Sequence, residues 1–249
     1  VHIVAADKRL QDAIYVFESM GGKIMHVWKQ IHAFWGYIDT SKIRLLSQND
    51  AIGLIEYHHT NYTLYLRVSI PQLRVGTNAY KIGNSSYVYN SSTPWGQGYF
   101  GDPNTTLVIV DTGIDDTHPE LGPYKDQGFG TAKIVYWKDI SNTYPDYPGD
   151  GHGHGSHCSG IAAGQGNPAD PYGPNAHMGV APHVSLGGIK IFDDSGWFVD
   201  SNYQFADYLL NNKTTYHIVV ASHSWGGPDD ATLEELMNNL VFNGIVQVV

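Results

Sequence analysis

Hydrophobic residues change their spacing several times in the first sixty positions, and each spacing predicts a different element. Leu10, Ile14 and Phe17 share one helical face and are followed by Gly21-Gly22, so this segment predicts a helix. Apolar runs at 2–6, 23–28, 32–38 and 51–59 predict strands, and 41–49 predicts a second helix. The resulting order β-α-β-β-α-β is that of the split ferredoxin-like arrangement.

Apolar runs beyond residue 105 lack the alternation of a half-exposed strand. They lie at 105–111, 133–137, 183–192, 216–224 and 245–249 and predict strands; the runs at 105–111 and 133–137 have the pattern of strands buried on both faces. Helices are predicted between them at 157–163, 202–212 and 231–242. Strands that alternate with helices predict a parallel α/β sheet. Because the last apolar run stops at Val249, we expect a longer fold than the printed chain.

Changes in residue composition and hydrophobic pattern divide the chain into three parts. A small unit is predicted over 1–62 and a larger one over 105–249. Between them, 63–104 is rich in Gly, Ser, Asn and Tyr and contains Pro71, Pro94 and Pro103, which indicates an irregular linker.

Composition excludes several classes of protein. The 249 residues carry a net charge of −10 and are 42% hydrophobic, which suits a folded domain and disfavours nucleic-acid binding. No apolar run approaches the roughly 18 residues of a membrane span. Cys158 is the single cysteine, so an internal disulfide is impossible. The absence of an initiator Met and the N-x-S/T sequons indicate a secreted or cell-surface protein; the sequons lie at Asn61, Asn84, Asn90, Asn104 and Asn212.

Two segments carry candidate catalytic residues. Asp111 follows a buried apolar strand, and functional groups gather at the carboxyl ends of parallel strands, so its carboxylate is a candidate to orient an imidazole. The segment 149–164, GDGHGHGSHCSGIAAG, places three histidines among glycines and small residues. A histidine at the start of a helix formed there is a candidate general base.

Three chemistries fit these residues. His152, His154 and His157 have the spacing of a zinc hydrolase loop and resemble the metallo-β-lactamase motif, although Ser156 stands where that motif has Asp. Asp-Thr-Gly is the signature of aspartic proteases, which need two carboxylates sharing one proton, and this sequence has one such motif. The third is a Ser-His-Asp protease that uses Asp111 and His154.

Four motifs in order resemble the subtilisin-like serine proteases (subtilases). They are IVDTGIDDTHPEL, HGSHCSG, GVAPHVSLGGIKIF and ASHSWGG. The first sixty residues are similar to the inhibitory propeptide of that family, and Cys158 is similar to the cysteine of its proteinase K branch. The resemblance implies an α/β fold: a mostly parallel central sheet with flanking helices, truncated here, and preceded by a small α+β ferredoxin-like propeptide domain.

The resemblance also implies roles for individual residues. Asp111 would be the triad carboxylate and His154 the general base of a serine endopeptidase. Two edges would bind the backbone of a peptide or protein substrate as an added strand. The residues at these edges are Gly196, Trp197, Ser224, Trp225 and Gly226. Calcium is expected at Glu120, and no organic cofactor is expected.

The nucleophile motif of the family, Gly-Thr-Ser-Met-Ala, and its oxyanion-hole Asn do not occur in the chain. We therefore expect the chain alone to be inactive and to need the C-terminal half of the catalytic domain. An unprocessed precursor would carry residues 57–66 across its own cleft, with the maturation cut between Tyr62 and Leu66. A non-catalytic subtilase-like fragment that acts in binding or assembly is the alternative from another class.

Overall fold

The computed structural model describes residues 1–56, 94, 98–124, 132–169 and 178–249, together with the backbone of 63–64. The sequons at Asn61, Asn84 and Asn90 lie outside these residues. So do the ends of the expected cleavage window, Tyr62 and Leu66.

The N-terminal unit is a four-stranded antiparallel sheet covered by helices. Its elements are β1 (His2–Ala5), α1 (Leu10–Ser19), β2 (Lys23–Trp28), β3 (Ala33–Tyr37), α2 (Ile43–Leu46) and β4 (Ile52–Glu56). The strand order is β2-β3-β1-β4, and the element order is the one that the hydrophobic pattern predicts. Phe17 of α1 packs against Phe34 of β3 in a buried core. The second helix is one turn long, and in the turn that follows it Asn49 Oδ1 accepts from the Ala51 amide at 3.0 Å.

The second unit is built on a five-stranded parallel sheet of order β11-β9-β6-β8-β7. Its elements are β6 (Thr106–Asp111), β7 (Ile134–Asp139), α3 (His154–Ala163), β8 (Ser185–Lys190), α4 (Gln204–Tyr216), β9 (Ile218–Ser222), β10 (Trp225–Gly226), α5 (Ala231–Phe242) and β11 (Val246–Val248). Every residue of β8 is buried, as expected for a strand covered on both faces. The predicted parallel α/β architecture is confirmed.

Helix α3 begins at His154, three residues before the predicted start. Gly153 has a φ of 89°, a left-handed conformation that glycine adopts without strain, and it ends the preceding loop. The Asp150 carboxylate accepts from the amides of Gly153 and Ser156 at 2.9 and 2.8 Å, so it satisfies donors at the start of the helix. The early start places the imidazole of His154 in the first turn of α3.

The two units are packed against each other. Trp28 of β2 is fully buried, stacks on Tyr203 with ring centroids 5.8 Å apart, and donates from Nε1 to the Asn202 carbonyl oxygen at 2.7 Å. A second contact is made by β5 (Thr63–Leu64), which pairs antiparallel with β10. The N-terminal unit and the segment that follows it therefore both contact the second unit. None of the helices within the described residues has the length and apolar character to cross a lipid bilayer.

Candidate active site

The structure brings Asp111 and His154 together. Asp111 is the last residue of β6, the central strand of the parallel sheet, and His154 is the first residue of α3. Asp111 Oδ1 accepts a hydrogen bond from His154 Nδ1 at 2.7 Å, and both side chains are almost completely buried. The pair lies at the carboxyl end of a parallel strand, where ligands and catalytic groups gather in α/β sheets.

Neighbouring backbone and side-chain groups fix the geometry of this pair. The Thr112 amide donates to Asp111 Oδ1 at 2.7 Å, and Thr112 Oγ1 accepts from the Gly155 amide at 2.9 Å. Gly155 also allows α3 to approach the strand closely, because a Cβ atom at this position would overlap the carbonyl oxygen of Gly113. The loop after β6 and the first turn of α3 therefore hold each other in place.

The contacts of His154 make its imidazole more basic. Burial alone would lower the pKa of His154, but the hydrogen bond that it donates to Asp111, the contact with Cys158 and the charge of Asp111 outweigh burial and raise the pKa. Cys158 Sγ lies 3.9 Å from His154 Nδ1, one helical turn along α3. A carboxylate that raises the basicity of an imidazole and fixes its tautomer prepares it to accept a proton.

The segment Ser224, Trp225, Gly226 forms an edge next to β6, although its large side chain points away from solvent. The Trp225 indole is 2% exposed and donates from Nε1 to the Val110 carbonyl oxygen at 2.8 Å. It therefore belongs to the core and does not line a cleft. The backbone of the segment pairs with other residues, Trp225 opposite Leu64 and Gly226 opposite Thr63. Ser224 is half-buried.

Gly196 and Trp197 lie in a turn rather than in a strand. Gly196 has a φ of 81°, and the Asp193 amide donates to the Trp197 carbonyl oxygen at 2.9 Å. The Trp197 side chain is 73% exposed. The next residue, Phe198, contacts the Trp225 ring with centroids 6.1 Å apart, so the two predicted substrate-binding segments meet through this aromatic contact.

The zinc-hydrolase arrangement receives no support from the positions of the three histidines. His154 points its Nδ1 at Asp111, whereas His157 is exposed on α3. The rings of His152 and His154 are 6.3 Å apart between centroids. These histidines do not converge as a three-ligand group in the part of the chain that the structure describes.

Other predicted site residues are dispersed. Glu120 is 9% exposed, and it does not belong to a three-ligand group within the described residues. Asn104 is exposed, next to Asp102. Asn212 lies within α4, where its side-chain amide donates to the Tyr208 carbonyl oxygen at 2.9 Å.

Sequence reasoning missed a buried lysine beside Asp111 and a separate group of ligand-type side chains. Lys190 is fully buried at the end of β8, opposite Asp111, and donates to the Thr112 carbonyl oxygen and to Asp194. A lysine inside an apolar run was the available signal. His2, Glu56 and Asp230 also meet in a buried group, and their spacing in the sequence gave no sign of it.

Comparison with known proteins places these features in a family. Residues 102–248 match the model of the subtilase family, Peptidase S8. The alkaline serine protease ver112 of Corniculantispora psalliotae is 29% identical over 171 residues, which are 67% of this chain and 36% of that protein. Subtilisin E of Bacillus subtilis is 25% identical over 239 residues, 93% of this chain and 52% of that protein. Proteinase R of Parengyodontium album is 26% identical over 237 residues, 93% and 53% of the two chains.

A solved structure agrees with the fold. Fervidolysin from Fervidobacterium pennivorans, described as a keratinolytic enzyme related to subtilisin, aligns with a TM-score of 0.63 and 19% identity over 99% of this chain and 38% of that one. The chain thus spans about half the length of its relatives, or less. The family match covers more than half of the chain and includes both Asp111 and His154. This chain therefore belongs to the subtilase family of subtilisin-like serine proteases.

Proposed function

We propose that the chain supplies the carboxylate and the general base of a serine endopeptidase. The observation that carries this proposal is the 2.7 Å hydrogen bond between Asp111 Oδ1 and His154 Nδ1. His154 would take the proton of a serine hydroxyl as that oxygen attacks the peptide carbonyl, and would then give the proton to the leaving amine. Asp111 would hold the imidazole tautomer and stabilise the imidazolium.

The nucleophilic serine of this proposal is not one of the serines beside His154. Ser156 Oγ donates to Asp150 at 2.7 Å, and Ser159 Oγ donates to the Gly155 carbonyl oxygen at 2.8 Å, so both support α3. The sequence also lacks the Gly-Thr-Ser-Met-Ala motif. The 249-residue chain alone should therefore not hydrolyse peptides, and the complete enzyme should.

Active-site labelling tests this assignment. The protein isolated from its natural source should hydrolyse protein substrates and react with a fluorophosphonate, whereas the 249-residue chain should not react. In the complete enzyme, Asp111→Asn should lower kcat by about 10⁴-fold, because the wrong imidazole tautomer is favoured. Asp146→Asn, at an exposed loop position, is the control and should leave kcat unchanged. Rapid labelling of the short chain, or full activity of Asp111→Asn, would contradict the proposal.

The N-terminal unit is assigned the role of an inhibitory propeptide. The pairing of Thr63–Leu64 with Trp225–Gly226 supports this role, because a substrate peptide would add to the same strand edge. Peptide and protein substrates would then compete with the chain's own segment. Maturation should cut between Tyr62 and Leu66, and N-terminal sequencing of the mature enzyme checks this. A mature N-terminus well outside that window would contradict the proposed cleavage site.

Secretion, glycosylation and calcium binding complete the proposal. The sequons support export, and Asn104 is an exposed acceptor. Glu120 is the candidate calcium ligand. If calcium binds there, melting of the complete protein should shift to higher temperature with calcium, and Glu120→Gln should reduce that shift. A melting temperature that changes neither with calcium nor with chelator would contradict calcium binding at Glu120.

A further inference from the structure

A buried group of three ligand-type side chains lies at the junction between the two units. His2 and Glu56 come from the N-terminal sheet, and Asp230 precedes α5. His2 Nδ1 lies 3.9 Å from Glu56 Oε2 and 3.8 Å from Asp230 Oδ1. The side chains of His2, Glu56 and Asp230 are 0%, 15% and 1% exposed. This group shares no residue with the Asp111–His154 pair.

We propose that His2, Glu56 and Asp230 bind a divalent transition-metal ion of the zinc type, which joins the N-terminal unit to the second unit. One imidazole nitrogen and two carboxylate oxygens are a donor set that zinc accepts, with a fourth position left for water. Metal–ligand distances of about 2.1 Å put tetrahedral ligand atoms about 3.4 Å apart. The two separations from His2 exceed this value by about 0.4–0.5 Å, and the three ligand atoms all lie within 4.8 Å of one another, so small side-chain shifts would bring them to an ion.

Other contacts already orient the side chains of Glu56 and His2. The Glu56 carboxylate accepts from the amides of Ala231 and Thr232 at 2.6 and 3.0 Å. The His2 ring packs edge-on against Trp28, with centroids 5.4 Å apart, and also against Tyr203. Supporting contacts of this kind fix ligand orientation in protein metal sites. The geometry is therefore held before an ion arrives.

Electrostatics favour a cation at this position. The Asp230 carboxylate accepts hydrogen bonds from the Tyr203 hydroxyl and, at 2.9 Å, from the Leu233 amide, so its orientation is fixed as well. Burying two carboxylates beside one imidazole costs free energy, and a divalent cation between them would neutralise both negative charges.

The ion would act as a cross-link between the units. It would bind His2 and Glu56 on one side and Asp230 on the other, so its binding free energy would be available only while the units are packed together. Zinc should therefore stabilise the packed chain, and a chelator should loosen it. This expectation does not depend on peptide hydrolysis. The metal site can therefore fail its test while the proposed protease function holds, and the protease function can fail its test while the metal site holds.

The experiment measures zinc binding by the full 249-residue chain. After removal of metal, equilibrium dialysis against Zn²⁺ should give one ion per chain at this site, and a free zinc concentration about 100-fold above the dissociation constant should raise Tm by about 5 °C or more. His2→Phe keeps a ring between Trp28 and Tyr203 but removes the ligand. It should weaken zinc binding by more than about 100-fold and abolish the Tm shift.

The group Asp111, His154 and Cys158 provides the internal control. It is the other three-ligand group within the described residues, and it contains a thiol. Co²⁺ bound at His2, Glu56 and Asp230 should give visible ligand-field bands without a sulfur-to-cobalt charge-transfer band, and Cys158→Ser should leave them unchanged. Asp230→Asn should abolish them, and it gives a second test if His2→Phe folds poorly by circular dichroism.

Three results would overturn the proposal. The first is a wild-type chain that takes up no zinc. The second is uptake that His2→Phe and Asp230→Asn both leave intact while they remain folded. The third is uptake that disappears in Cys158→Ser and shows the thiolate band, which would assign the ion to the other group.

Discussion

The carboxylate of Glu56 makes a contact between the two units whose energy can be worked out from the structure. It accepts from the Ala231 amide at 2.6 Å, from the Thr232 amide at 3.0 Å and from Thr232 Oγ1 at 3.2 Å. These donors begin α5, where the helix dipole also favours an anion. Hydrogen bonds to a charged group contribute about 1.5–3 kcal/mol each, but three bonds that share one carboxylate are not additive.

Glu56→Ala should therefore lower the free energy of unfolding by about 2–4 kcal/mol. The estimate is below the sum of the bonds because the side chain is 15% exposed, so water can reach some of the freed donors. Glu56→Gln should cost about 1–2 kcal/mol, since the amide oxygen replaces one of the two acceptors and the charge is lost. The two variants separate the hydrogen bonds from the charge.

Urea denaturation followed by tryptophan fluorescence measures these values, because Trp28 and Trp35 both contact Asn202 across the junction. Chelator in all samples removes the contribution of any bound ion. Glu18→Ala, on the exposed face of α1, is the matched control and should change stability by less than about 0.5 kcal/mol. If Glu56→Ala and Glu18→Ala have the same effect, the contact with α5 makes no net contribution, and the reasoning is refuted.

Three further predictions test the active site, the core and the surface. Gly155→Ala should destabilise the chain by more than about 2 kcal/mol, because the new Cβ would overlap the Gly113 carbonyl oxygen, whereas Gly160→Ala on the same helix meets open space and should stabilise it by about 0.5–1 kcal/mol. Thermal melts of the two variants compare them, and equal melting temperatures would contradict the close approach of α3 to the strand. Burial lowers the pKa of His223 from 6.5 to about 4, so the unfolded chain binds the proton first and stability should fall as pH drops from 6.5 towards 4. His223→Met should reduce that slope in urea titrations at several pH values; an unchanged slope would mean that other groups cause it. Mass spectrometry of protein expressed in a secreting eukaryotic host should find a glycan at Asn104, and consistently unmodified Asn104 would contradict its assignment as an acceptor.

Local sequence patterns predicted the architecture, and motifs that resemble a known family predicted that Asp111 and His154 would meet. Apolar runs without alternation can be buried only between two layers, so the parallel sheet followed from local spacing. The residue types alone left three chemistries open, and the resemblance of four ordered motifs to the subtilases selected Asp111 and His154. Strand ends and glycine-rich turns are encoded by neighbouring residues, so they can be recognised without the tertiary structure.

Packing of the folded chain sets which surface each side chain faces and which distant residues meet. Trp225 was predicted at a substrate-binding edge, and only the packing shows that its indole is in the core while its backbone forms the edge. The meeting of His2, Glu56 and Asp230 depends on how two units dock, and no spacing along the chain encodes that. Docking is set by the shape and burial of whole faces, so groups that form across it become visible only after folding.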